Sequence, residues 1–275
     1  MKTGTALPLW LLAATAAYSA EGLSAASQFG RNDRYAAAPV KTDSSSVTTE
    51  KPLAPVVSTV DFGKDKFVDL FLPADSRQFS SCDTIEQGTK MTTADGRGDV
   101  VWPSGFALSR LIAHCPSIVD GKDVLELGCG LGAAAAAACK YSRPNHVAVT
   151  DKDKSALALA YASCVQLQRS RASVSRCVMD WKDPSSWPAQ DYNVLLAADV
   201  LYDRASILPL VSVLQHYLCG GSDSEKLKRA IIVDPIGQVN RDAFVFAAFK
   251  AGMEVEQEEF PGSPDLMLLS VYPMN

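Results

Sequence analysis

The stretch that decides the fold is Val124-Leu125-Glu126-Leu127-Gly128-Cys129-Gly130-Leu131-Gly132, followed by an unbroken run of alanines from Ala133 to Ala138. An apolar strand is expected over 123–127, ended by Gly128, and a helix over 131–140. Without Cβ atoms, Gly128 and Gly130 open dihedrals closed to other residues and let a ligand approach the backbone. A helix that starts straight after such a turn points free N–H groups at that ligand. Built almost wholly from alanine, this helix can lie close against a sheet. Glu126 is odd in a buried strand; an acid there suits a ligand that bears a cation.

Outward from this segment, strand-like and helix-like runs alternate. Strands are predicted over 146–150, 173–179, 192–198 and 230–233, and helices over 154–167, 205–218 and 242–251. Upstream, 104–114 reads as a helix with Leu108, Leu111 and Ile112 on one face, and 67–72 with 83–91 as two strands of a lead-in hairpin. The chain closes with strand-like runs at 253–260 and 266–272, separated by Pro261-Gly262-Ser263-Pro264. Such alternation implies right-handed crossovers and a mainly parallel sheet. The short final turn forces the last two strands into an antiparallel hairpin. No internal repeat and no second domain is read in 61–275.

Composition narrows the function. The 275 residues are 47% apolar and 21% charged, which fits a packed protein rather than a disordered chain. Lys plus Arg number 26 against 31 for Asp plus Glu, a net charge of −5. Coating nucleic acid takes clustered basic residues, so no nucleic-acid partner is expected. The seven cysteines are odd in number and form no C-x-x-C pair, so reduced structural thiols are expected and no metal site. His114, His146 and His216 have no partners in the pattern and read as satisfied or surface residues. Glu254, Glu256, Glu258 and Glu259 read as the solvated face of the terminal hairpin.

The first sixty residues are a different kind of sequence. Residues 1–20 hold one basic residue and an apolar run too short to span a bilayer, and read as a signal peptide. Residues 21–60, rich in Ser, Thr, Ala and Pro, read as a disordered leader. Together they resemble the bipartite presequences of algae with complex plastids, although Glu21, Asp33, Asp43 and Glu50 are more acid than transit peptides carry. The compartment stays open, organellar or secreted. The mature chain is expected to hold no membrane span and to be a monomer.

Two cofactors fit the glycine loop. Gly128, Gly130 and Ala133 satisfy the G-x-G-x-x-A pattern of dinucleotide binders, and Asp151, about twenty residues on, suits ribose hydroxyls. S-adenosylmethionine, with its ammonium and sulfonium, suits the same loop and the same two acids. Neither feature separates them.

Four further segments do. Val101-Trp102-Pro103-Ser104-Gly105 precedes the glycine loop; Asp180-Trp181, Asp199-Val200-Leu201-Tyr202 and Val233-Asp234-Pro235 end the third, fourth and fifth core strands. In this order, they resemble the seven-β-strand protein-lysine methyltransferases over most of residues 84–275. The resemblance implies an α/β class I methyltransferase fold, Rossmann-like, with a mainly parallel seven-stranded sheet, a C-terminal antiparallel hairpin and helices on both faces. It implies S-adenosylmethionine as cofactor, no metal, and a protein acceptor whose lysine is methylated. Gly128, Gly130 and Gly132 would wrap the methionine part of the cofactor, with Glu126 near its ammonium and Asp151 on the ribose. Asp180 would meet the adenine amino group, Trp181 its ring, and Trp102 would form part of the cofactor wall. Asp199 and Tyr202 would be the catalytic pair, facing the transferred methyl and the target nitrogen. Read singly, Trp102 and Trp181 also suit a core, and Asp199 also suits a helix cap with Tyr202 packed beneath it. A methyltransferase for a small molecule, a nicotinamide-dependent oxidoreductase and a silent module that only binds a partner are the rival functions.

Overall fold

The structure, a computed structural model, describes residues 56–72, 101–168, 172–220 and 228–274. The signal-like segment 1–20, most of the leader and the strand expected at 83–91 lie outside the described residues.

A seven-stranded sheet is at the centre. β3 (Asp123–Leu127), β4 (His146–Asp151), β5 (Ser173–Val178), β6 (Val194–Ala198) and β7 (Arg229–Pro235) run parallel. β8 (Met253–Glu259) and β9 (Leu266–Pro273) form the terminal hairpin, with β9 inserted antiparallel between β7 and β8. The order across the sheet is β5-β4-β3-β6-β7-β9-β8. This is the class I methyltransferase, Rossmann-like α/β arrangement expected from the alternation. The central strands are apolar at nearly every position because both faces are covered. Val124, Val194, Leu196, Ile231 and Val233 enter one core; Leu125, Leu127, Leu195, Ala197, Ala230 and Ile232 enter the other. That is the period of two that a strand imposes.

Helices α1 (Pro103–His114), α2 (Ala133–Tyr141) and α3 (Lys154–Leu167) pack on the first face, and α4 (Ile207–Cys219) and α5 (Arg241–Lys250) on the second. Each lies within two residues of its expected bounds at every end. Among the described residues no helix is long and apolar enough to cross a membrane. The six described cysteines are all free. The histidines are held in structural contacts: His114 to the Phe62 carbonyl, His146 to the hydroxyls of Ser173 and Ser175, and His216 between the rings of Trp187 and Tyr217.

The lead-in hairpin differs from expectation. β2 (Lys66–Leu72) pairs with β1 (Val56–Gly63), upstream of it. Residues 56–60, read as the end of the leader, are therefore strand. The turn explains the pairing: Lys64 and Asp65 both have positive φ, the two-residue geometry whose twist matches a β-hairpin. Val56, Val57, Thr59 and Val60 carry the β-branched signal, masked by the Ser- and Pro-rich stretch before them.

This hairpin also explains the alanine helix. All six alanines from Ala133 to Ala138 are buried, because α2 has the sheet on one side and β2 on the other. Phe62, Val68, Leu70 and Leu72 complete that core. The backbone of Phe67 is held by Tyr141, whose hydroxyl accepts from its N–H at 2.6 Å and donates to its carbonyl at 2.7 Å. Lys140 donates to the same carbonyl. Leu70→Ala should therefore cost about 2–5 kcal/mol in urea unfolding, the range for a buried leucine. A loss below about 1 kcal/mol would make the hairpin peripheral to the core.

Candidate functional site

In a parallel sheet, ligands bind beyond the carboxyl ends of the strands, where the order reverses on either side of β3. The residues singled out in the sequence gather at that edge. Gly128, Gly130 and Gly132 follow β3 with φ of 64°, 50° and 71°, all left-handed. Two of these glycines are sterically required. A Cβ on Gly132 would lie 2.6 Å from the Ala160 Cβ, so the glycine is what lets the start of α2 touch α3. A Cβ on Gly128 would meet Trp181 at 3.3 Å and Val200 at 3.6 Å. The glycine loop, the Asp180-Trp181 segment and the Asp199–Tyr202 segment thus converge at one point.

Acids from the strand ends hold the loops. Glu126, in β3, is only 5% exposed, and its carboxylate accepts the Ala135 N–H at 3.0 Å. It caps the start of α2, where Gly132 offers no side chain. Burial, reinforced by the nearby Asp151, pushes the Glu126 carboxyl up to about 8, against the opposing hydrogen bonds of the helix amides. Asp151, ending β4, accepts the Gly130 N–H at 2.9 Å and the Asp153 N–H at 2.9 Å. Each carboxylate oxygen has a second lone pair, so both can still accept from a diol.

Asp180 is exposed, and its carboxylate accepts the Lys182 N–H at 2.9 Å. Trp181 is half-buried beside Gly128. Trp102 stands at the N-cap of α1 and is 39% exposed. A Cβ on Gly105, one turn on, would meet the Ala198 Cβ at 4.0 Å, so the start of α1 lies against the end of β6. Asp199 has φ of 54°, unusual for a non-glycine residue. It does not cap the next helical turn: Asp203 does, accepting the Ala205 N–H. Tyr202 is 44% exposed rather than packed beneath.

Two residues here escaped the sequence reading, and a third, Asp234, was quoted there without a role. Trp187 donates its indole N–H to the Asp180 carbonyl at 3.1 Å, and Ser186 accepts the Asp180 N–H at 3.0 Å, so this pair fixes the Asp180 turn. Nothing in their spacing marks them. Asp234 is fully buried at the end of β7 under the Val200–Leu201 backbone. Its signal was legible, an acid in an apolar strand like Glu126.

The edge is chemically suited to a cationic cofactor with a diol and a flat ring. Two acids, loop amides, a Trp face and a glycine cradle with no Cβ in the way fit S-adenosylmethionine. Among the described residues, no group of three or more His, Cys, Asp and Glu is placed to hold a metal ion. The glycine cradle makes a stability test possible. Gly132→Ala combines a clash with a positive φ and should cost at least about 2 kcal/mol in urea unfolding, where an ordinary loop glycine would cost far less.

A family model described as lysine methyltransferase matches residues 84–227, more than half of the chain. No curated protein matches the sequence. Among solved structures, a methyltransferase from Pyrococcus furiosus is 15% identical, with a TM-score of 0.48 over 62% of this chain and 84% of that one. The CcbJ methyltransferase from Streptomyces caelestis is 11% identical, with a TM-score of 0.47 over 64% and 92%. A ribosomal protein L11 methylase from Lactobacillus delbrueckii is 14% identical, with a TM-score of 0.45 over 61% and 77%.

Proposed function

The chain belongs to the lysine methyltransferase family; it is an S-adenosylmethionine-dependent methyltransferase, and we propose that its acceptor is a lysine side chain of a soluble protein. The observation that carries the assignment of the site is the convergence of three motifs at Gly128, where Trp181 and Val200 close on a residue with no side chain. The family description supports lysine, and the rim of the site supports a protein. Leu208, Val239 and Phe246, between 64% and 84% exposed, line one surface pocket with Arg204 and Ile207, which follow the Asp199–Tyr202 segment, and Tyr202 itself is 44% exposed. An open apolar rim suits another protein surface, whereas small-molecule sites are enclosed.

In this reading S-adenosylmethionine supplies an electrophilic methyl group, and the protein aligns it with the acceptor nitrogen. Gly128, Gly130 and Gly132 leave room for the methionine part, with Glu126 toward its ammonium. Asp151 takes the ribose hydroxyls, Asp180 the adenine amino group, Trp181 the ring face, and Trp102 part of the wall. Asp199 orients the incoming lysine ammonium, and Tyr202 shapes the entry. A lysine is protonated near pH 7, so its proton must leave before the nitrogen attacks. The half-buried aromatics favour the neutral amine, and water at the open rim accepts the proton.

Two outcomes follow. Asp199→Ala should abolish transfer of radiolabelled methyl to protein in a cell extract while changing cofactor affinity less than a few-fold; lost affinity would make Asp199 a cofactor or structural residue. The second outcome concerns Glu126. Its carboxyl, raised to about 8, carries a proton at pH 7. An arriving ammonium favours the ionised form, so binding of S-adenosylhomocysteine should release protons, up to one per site. Calorimetry in two buffers of different ionisation heat measures this, and Glu126→Gln should remove it. Equal release from both proteins would place the ammonium away from Glu126.

A further inference from the structure

The Asp199–Tyr202 segment leaves β6 in a conformation that an ordinary residue avoids, and something must hold it there. Asp199 has φ of 54°. Its N–H donates to the Val233 carbonyl at 2.9 Å. The N–H groups of Val200 and Leu201 face the carboxyl of Asp234, with the Leu201 N–H 3.5 Å from Oδ1. From the other side, Asn240 donates its side-chain amide to the Leu201 carbonyl at 2.8 Å. Asn240 is itself buried, at the N-cap of α5. The loop is thus gripped by the end of β7 and the start of α5.

From this geometry we infer that Asp234 is a positioning residue, holding the Asp199–Tyr202 loop from below so that Asp199 is presented at the mouth of the site. The inference rests on the reading of that loop as the acceptor side. Asp234 is fully buried, and its Oδ2 has no hydrogen-bond partner. A carboxylate so placed would be a poorly compensated buried charge. Burial first, and the neighbouring Asp199 second, push the Asp234 carboxyl up to about 7; Arg241 on α5 and the two loop N–H groups oppose the rise. A proton on Asp234 removes that cost and leaves its Oδ1 facing the Leu201 N–H. Asp234 acts through Asp199 and the loop, without touching the acceptor.

The test uses the full chain, with radiolabelled S-adenosylmethionine and cell-extract protein as acceptor. Asp234→Ala should lower transfer at least tenfold and leave the dissociation constant for S-adenosylhomocysteine within threefold. Asp234→Asn keeps the shape and the acceptor oxygen and is neutral, so it should recover transfer to within threefold of the parent at pH 6.5. The parent binds a proton at this site that its unfolded chain lacks between about pH 4 and pH 7, so this group removes stability as pH rises through that window. The melting temperature of Asp234→Asn should therefore rise relative to the parent across the same range. If Asp234→Ala does not fold, Asn240→Ala breaks the loop's other tie and should reproduce the loss of transfer with cofactor affinity kept. Full activity in the alanine variants, an asparagine variant no better than alanine, or a melting difference that is flat with pH would overturn the inference. Transfer that survives Asp199→Ala would instead overturn the acceptor-loop reading beneath it.

Discussion

The structure depends on a buried carboxyl group. Glu126 sits inside the sheet and accepts a backbone N–H at the start of a helix made almost entirely of alanine. Alanine has the highest helix propensity, yet no side chain with which to cap its own first turn, so the acceptor comes from the strand beneath. The Thr150 hydroxyl donates to the Glu126 carbonyl at 2.6 Å and ties the neighbouring strand to the same point. The glycine turn is fixed between the strand and the helix as a result. Replacing this bond with an apolar contact would leave the first amides of α2 buried without a partner.

The same device repeats along the carboxyl edge. Asp151 takes the Gly130 N–H, Asp180 that of Lys182, Asp203 that of Ala205, and Asp234 faces that of Leu201. Each loop that borders the site is held by an acid at or just beyond a strand end. The carboxyl edge therefore collects acidic side chains, which suits a cationic cofactor and, in the proposed reading, a cationic acceptor. Structural holding and electrostatic attraction are carried by one set of residues, which makes single substitutions here hard to read without a binding measurement beside the activity.

Much of the fold was legible because its signals are local. The strand at Asp123–Leu127 and the helix at Lys154–Leu167 were read to the residue, one from its apolar run and glycine stop, the other from its helix-like pattern; Asp153 caps that helix in the structure. The terminal hairpin was legible from its four-residue turn. The lead-in hairpin was misread because its turn, Lys64-Asp65, contains no glycine and takes positive φ at two ordinary residues. Its partner strand also adjoins a stretch with leader-like composition. In the site, the glycines and the acids at strand ends were visible by residue type and spacing. Their meeting at Gly128, the indole of Trp187 on the Asp180 carbonyl and the grip of Asn240 on Leu201 are long-range contacts that no local pattern encodes.

The central claim is that the glycine loop, Glu126 and Asp151 form a site for S-adenosylmethionine rather than for a dinucleotide, whose motif they also satisfy. Calorimetric titration of the full chain with S-adenosylmethionine, S-adenosylhomocysteine and NAD tests this most directly. The account predicts micromolar binding of both sulfur compounds and none of NAD. Binding of NAD alone would contradict it.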